Sequence, residues 1–177
     1  VYAQKYEADL NPVWTTPATI TDLGGISSWT QVFSNDSDGN GGFIMCWYED
    51  RDNDQMRNVY IQHIMSDGSV GFTANGIQPT SSVTTQHFYP VCAYDPVNDI
   101  AYVVWSDTDA NQNQRGLRVQ AFENDGNKLF GDEGISVISL GNESPLATRA
   151  NVVNGELVVV FTSPINGSAV DSNLRAF

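Results

Sequence analysis

The stretch "NDSDGNGG" over Asn35–Gly42 sets oxygen-bearing side chains at alternate positions, the pattern with which a loop surrounds a hard cation. Asp36, Asp38 and Asn40 followed by Gly41 match the opening Asp-x-Asp-x-Asn-Gly of a calcium loop, with Gly for the bend. The bidentate Glu such a loop needs at its twelfth place falls on Trp47, and the corresponding stretches "YDPVND" and "VVNGE" do not keep the oxygens. The reading is therefore a turn-rich hairpin without a cofactor. Weak Ca2+ binding at Asp36, Asp38 and Asn40 is the alternative.

A second group of candidates lies in "EDRDNDQ" and "SDTDANQNQ", which supply Glu49, Asp50, Asp52, Asp107 and Asp109. Acids gathered on a loop can draw cations or hydrogen-bond sugar hydroxyls, and Trp29 adds an aromatic face on which a sugar ring could stack. The same acids on a plain solvated loop are the bland reading. Glu49 with Asp107 is the acid pair a glycoside hydrolase would require, but no nucleophile–base set and no convergent arginines accompany it. His63 and His87 have no second His or Cys at ligand spacing, so nothing points to zinc. Cys46 and Cys92, the two cysteines, each sit inside an apolar run and read as buried thiols, with a disulfide as the alternative.

Charge narrows the partners. Eight Lys and Arg stand against 21 Asp and Glu, a formal net charge of −13. Such a surface repels phosphate backbones and anionic lipids, so nucleic acid is not an expected partner. No run approaches the ~20 apolar residues that span a bilayer, so membrane insertion is not expected either.

The elements that position these residues recur. "VYAQKYEADLNPVW", "VYIQHIMSDGSVGF" and "LRVQAFENDGNKLF" begin at Val1, Val59 and Leu117, 58 residues apart, and Leu174 opens a further copy. Gln4, Gln62 and Gln120 keep the step, as do Trp14, Phe72 and Phe130; Trp47, Trp105 and Phe161 form another near-periodic set. Each unit reads as four strands separated by Asn-Asp, Asp-Gly and Asn-Gly turns, with no capped helical period. The runs "FIMCWY", "IAYVVW" and "LVVVF" are apolar almost throughout, so their strands are expected to be covered on both faces. The recurring Gln reads as a framework residue bonding backbone, and the aromatic sets as packing between units. Repeated four-stranded units that cover one another's faces are the arrangement of a β-propeller.

The motif "DGNGGFIMCWYEDR" followed by "VYIQHIMSDGSVGFTANGIQ" resembles the repeats of secreted propeller-like proteins of Bacteroidetes, which often carry a type IX secretion sorting tail. Glu49 and Arg51 take the acid and Arg places of its Trp-x-acid-x-Arg element; the second copy keeps Trp105 and Asp107 but has Asp109 for Arg. The resemblance implies the fold and an extracellular or cell-surface location. It implies no catalytic residues.

The expectation is thus an all-β chain of propeller-like blades, each of four antiparallel strands. Its repeats cover approximately 1–58, 59–116 and 117–173, with a fourth opening at 174–177. The expected role is non-catalytic adhesion, binding or scaffolding at the cell surface, with a lectin or glycoside hydrolase as the alternative. Three such units leave a ring unclosed, so "IAYVVW" or "LVVVF" would be wet unless covered by other blades of a longer chain or by a second copy. Glycans or surface proteins are the further expected partners.

Overall fold

The computed structural model describes residues 1–22, 31–164 and 172–176. Among them are strands and no helix, so nothing described is a helix long and apolar enough to cross a membrane. β1 (Tyr2–Ala3) and β2 (Ala18–Thr19) pair as a first small sheet. β3 (Gln31–Ser37), β4 (Phe43–Glu49) and β5 (Asn58–Ile64) form the second sheet. The third contains β6 (Gln86–Asp95), β7 (Ile100–Thr108), β8 (Arg115–Phe122) and β9 (Ile135–Gly141). The fourth contains β10 (Leu146–Val153), β11 (Glu156–Pro164) and β12 (Ser172–Ala176).

Every pairing is antiparallel and follows chain order, as short Asn-, Asp- and Gly-rich turns require. Among the described residues, four full strands occur in the third sheet alone. In the second, the place of a fourth strand is taken by isolated bridges from Ile77 to Ile61 and from Val70 to Ile64.

The 58-residue step is built into the hydrogen bonds. Gln62 donates Nε2 to the Thr73 carbonyl at 2.8 Å, while its Oε1 accepts the amides of His63 and Phe72. Gln120 repeats this with Gly131, Ala121 and Phe130, and Gln4 with Trp14 and Lys5. One amide side chain thereby clips the third strand to the chain returning after the turn. Gln62 and Gln120 are fully buried, so their bonds also satisfy backbone groups that water cannot reach.

The turns between repeat in the same way. Asp9, Asp67 and Asp125 accept the amide two residues on, and the residue between has positive φ: Leu10 (67°), Gly68 (88°) and Gly126 (89°). Glycine bears that conformation without strain; Leu10 does not.

The apolar runs are covered on both faces because each sheet is flanked by its neighbours. Met45 and Trp47 point back to Trp14, Ala18 and Ile20 of the first unit. Ile44, Cys46 and Tyr48 point forward to Phe88, Cys92, Tyr94, Val103 and Trp105 of the third sheet. Val91, Ala93 and Val104 meet Ala147, Ala150, Val159 and Phe161 of the fourth. Trp47 and Trp105 are fully buried. "IAYVVW" is therefore covered within this chain. In "LVVVF", Val159 and Phe161 are buried, whereas Val158 and Val160, on the other face of the fourth sheet, are only partly covered.

Candidate functional site

The oxygens of the calcium-like loop are turned to internal use. Asp38 is 2% exposed; its Oδ1 accepts the amides of Asn40 at 2.8 Å and Gly42 at 2.9 Å, and its Oδ2 meets His63 Nε2 at 3.1 Å. Burial pushes the Asp38 carboxyl up, but the bonds from His63, Asn40 and Gly42 outweigh it and hold the group below its ordinary value. Asp36 accepts the Ser37 amide on Oδ1 and the Tyr94 amide on Oδ2, the latter joining the second sheet to the third. Asn40 is exposed. Among the described residues no three His, Cys, Asp or Glu side chains are grouped so as to hold a metal.

The acids that end the second strands sit mostly inside. Glu49 is 5% exposed and accepts Arg51 Nε at 2.8 Å. The Arg51 guanidinium lies 3.5 Å over the Tyr60 ring and donates to the Asn75 carbonyl. Asp107, also 5% exposed, occupies the Glu49 place one repeat on. It accepts Trp105 Nε1 on Oδ1 at 2.7 Å and Arg118 Nε on Oδ2 at 2.6 Å. Arg118 stands where the preceding repeat has Tyr60. Burial pushes the Asp107 carboxyl up, against the bonds from Trp105 and Arg118.

Asp50 is buried and accepts the amides of Asp54 and Gln55, which shapes its loop. Asp109, half-buried, accepts the Gln114 amide at 2.7 Å, and Asp52 is exposed. Glu49 and Asp107 lie in different sheets, each joined to its own guanidinium. Trp29 lies outside the described residues.

The sequence reading set His87 aside as isolated; the fold gives it partners. Its Nδ1 lies 3.2 Å from Asn58 Oδ1 and its Nε2 3.0 Å from Thr85 Oγ1, an arrangement that a neutral ring with its proton on Nδ1 satisfies. Asp107 Oδ1 is 3.6 Å away, but its charge is held by Arg118. Burial, followed by the Arg118 charge, holds His87 down to about 4. Two glycines were missed although they are 58 apart: Gly76 and Gly134, both with positive φ. A Cβ there would meet Trp47 at 2.7 Å and Trp105 at 3.1 Å.

A concave feature of the described residues lies elsewhere, where β3, β6 and β10 run side by side. A cavity of about 510 Å³ is lined by Ser34, Asn35, Asp36, Tyr89, Arg149 and Asn151 among others. Each of the three strands is irregular near it, between Gln31 and Ser34, Phe88 and Val91, and Ala147 and Arg149. Tyr89 sits in such a bulge with a φ of 51°, its ring 5.7 Å from the Arg115 guanidinium. An aromatic ring, amides, hydroxyls and a guanidinium in one concavity can hydrogen-bond and stack against a polar organic molecule.

Fold and site together define an all-β chain of stacked antiparallel sheets. No family model matches it, and no curated protein or solved structure is significantly similar to it.

Proposed function

We propose that this chain is part of a non-catalytic β-propeller of the bacterial cell surface or exterior that serves adhesion, binding or scaffolding. One observation carries the reading. First strands β3, β6 and β10 of successive sheets lie side by side around a shared cavity, while each sheet covers the next with equivalent residues. Repeating one such step about an axis beside the first strands generates a ring. Further repeats, from the same polypeptide or a second copy, would complete it by covering Val158 and Val160 of the fourth sheet. The burial of Glu49 and Asp107 in guanidinium pairs favours a structural use of these acids over hydrolysis.

Glycan arrays and pull-downs against surface proteins test the role. Specific capture is expected, without turnover. Hydrolysis of a polysaccharide or peptide that is lost in Glu49→Gln or Asp107→Asn would overturn it.

A second reading, a carbohydrate-binding module, is favoured by the cavity itself, where Tyr89 offers a ring and Asn35, Arg149 and Asn151 offer polar groups. Calorimetric titration with oligosaccharides is expected to give heat that Tyr89→Ala removes. Saccharide binding unchanged in that variant would place the site elsewhere.

A further inference from the structure

Cys46 and Cys92 come from different repeats and from unlike places within them. Cys46 is on the second strand of its sheet, facing Ile61, where the next sheet has Val104 facing Val119. Cys92 is on a first strand, facing Val103, where neighbouring sheets have Asn35 facing Met45 and Ala150 facing Val159. Neither cysteine is therefore part of the repeating pattern. Yet the chain's two thiols meet.

The meeting point is Ser34. It lies directly opposite Cys46 in the β3–β4 ladder. From the third sheet, Cys92 donates its amide to Ser34 Oγ at 3.2 Å and its thiol to the Ser34 carbonyl at 3.3 Å. Cys46 points forward and Cys92 backward into one apolar cluster, exposed 0% and 2%. Cys92 is near enough to act on Cys46: burial first, then the Cys92 thiol beside it, pushes the Cys46 thiol up. Strands β4 and β6 pack against each other along this line.

We propose that Cys46 and Cys92 form an intramolecular disulfide that staples the second sheet to the third. Two S–H bonds break and one S–S bond forms. The two electrons and two protons pass to an external small-molecule disulfide, which leaves as two thiols. Because both thiols are buried in the folded chain, beyond the reach of an external disulfide, the exchange takes place while the chain folds or opens. Closing the bond across two sheets removes freedom from the unfolded chain, in exchange for the bond from the Cys92 thiol to the Ser34 carbonyl.

The test uses the full chain at a fixed ratio of reduced to oxidised glutathione, equilibrated in buffer and in strong urea, then quenched with acid. Alkylation under denaturing conditions followed by mass spectrometry counts free thiols. The expected result is a 46–92 crosslink, a mass loss of about 2 Da, and at least about ten times more disulfide in buffer than in urea. The urea midpoint of the oxidised chain should exceed that of the reduced chain. Equal disulfide in both solvents, glutathione adducts on either thiol, linkage between chains, or a lower midpoint on oxidation would each overturn the proposal. Cys46→Val and Cys92→Ala, which install the residues found at the matching places Val104 and Ala150, should each abolish the rise.

Discussion

Lowering the pH from 7 to 4.5 is expected to cost the fold about 2.5 kcal/mol at one side chain, His87. The ring is held to about 4 in the folded chain against an ordinary value of 6.5, chiefly because burial strips water from any charge placed on it. The Arg118 guanidinium adds to this, and Glu133 opposes it more weakly. The sign follows from proton counting. Below 6.5 the unfolded chain takes up a proton that the folded chain refuses until about 4, so stability is lost as the pH falls through that window.

The full loss below both values is about 3 kcal/mol, most of it reached by pH 4.5. At a urea slope of about 2 kcal/mol per molar, the midpoint should fall by roughly 1 M from this group alone. Asp107 works in the opposite sense. Its carboxyl is held high by burial, so its contribution is present below the unfolded value and is lost as pH rises through the folded one.

The assay is urea denaturation of wild type and His87→Gln at pH 7, 5.5 and 4.5, with the imidazole titration followed by NMR. Glutamine keeps an amide to bond Asn58 or Thr85 and cannot titrate. The expected signal is the difference between the two pH profiles, about 2 to 3 kcal/mol at pH 4.5. Parallel profiles, or an imidazole titrating near 6.5, would refute the account.

Substituting the repeated glutamines should rank by burial. Gln62→Ala and Gln120→Ala should each cost about 2 to 4 kcal/mol by chemical denaturation, and the half-buried Gln4→Ala less, because only the first two strand buried amides. Asp107→Asn should destabilise by about 1 to 3 kcal/mol, since Arg118 and Trp105 lose a charged acceptor, while Asp52→Asn on the surface stays within about 0.5 kcal/mol. Leu10→Gly should raise stability by about 1 kcal/mol, because Leu10 holds a positive φ that the matching turns give to Gly68 and Gly126; a loss on thermal melting would show that contacts of the exposed Leu10 side chain outweigh the strain.

What could be read from the chain and what could not divide along a physical line. The glutamine clips and the Asp-centred turns join residues about ten or two positions apart, so their logic recurs within a short window and shows as periodic identity. Two-face burial was legible in "FIMCWY" and "IAYVVW" because a strand sandwiched between sheets has no reason to alternate. The state of the acids was not legible. Asp107 finds its cation eleven residues on at Arg118, Glu49 finds its own two residues on at Arg51, and "EDRDNDQ" looks the same whether Glu49 points in or out. His87 was opaque for a like reason. Asn58 belongs to the neighbouring sheet, and only the packing of the two sheets brings the amide to the ring.

The two guanidinium arrangements carry an evolutionary consequence. In the second sheet the positive charge reaches the buried acid from the loop and rests on Tyr60; in the third it comes from Arg118, in the place of that tyrosine. What the two sheets share is a point in space that holds a cation, while the chain position supplying it differs. Besides the exchange of Glu49 for Asp, two substitutions separate the solutions, Arg51→Asp and Tyr60→Arg, and taken in the order Tyr60→Arg first the acid is never left bare. Repeats of this kind can therefore drift apart column by column while their electrostatics stay fixed, and kinship among them is better sought by superposing charges than by matching letters.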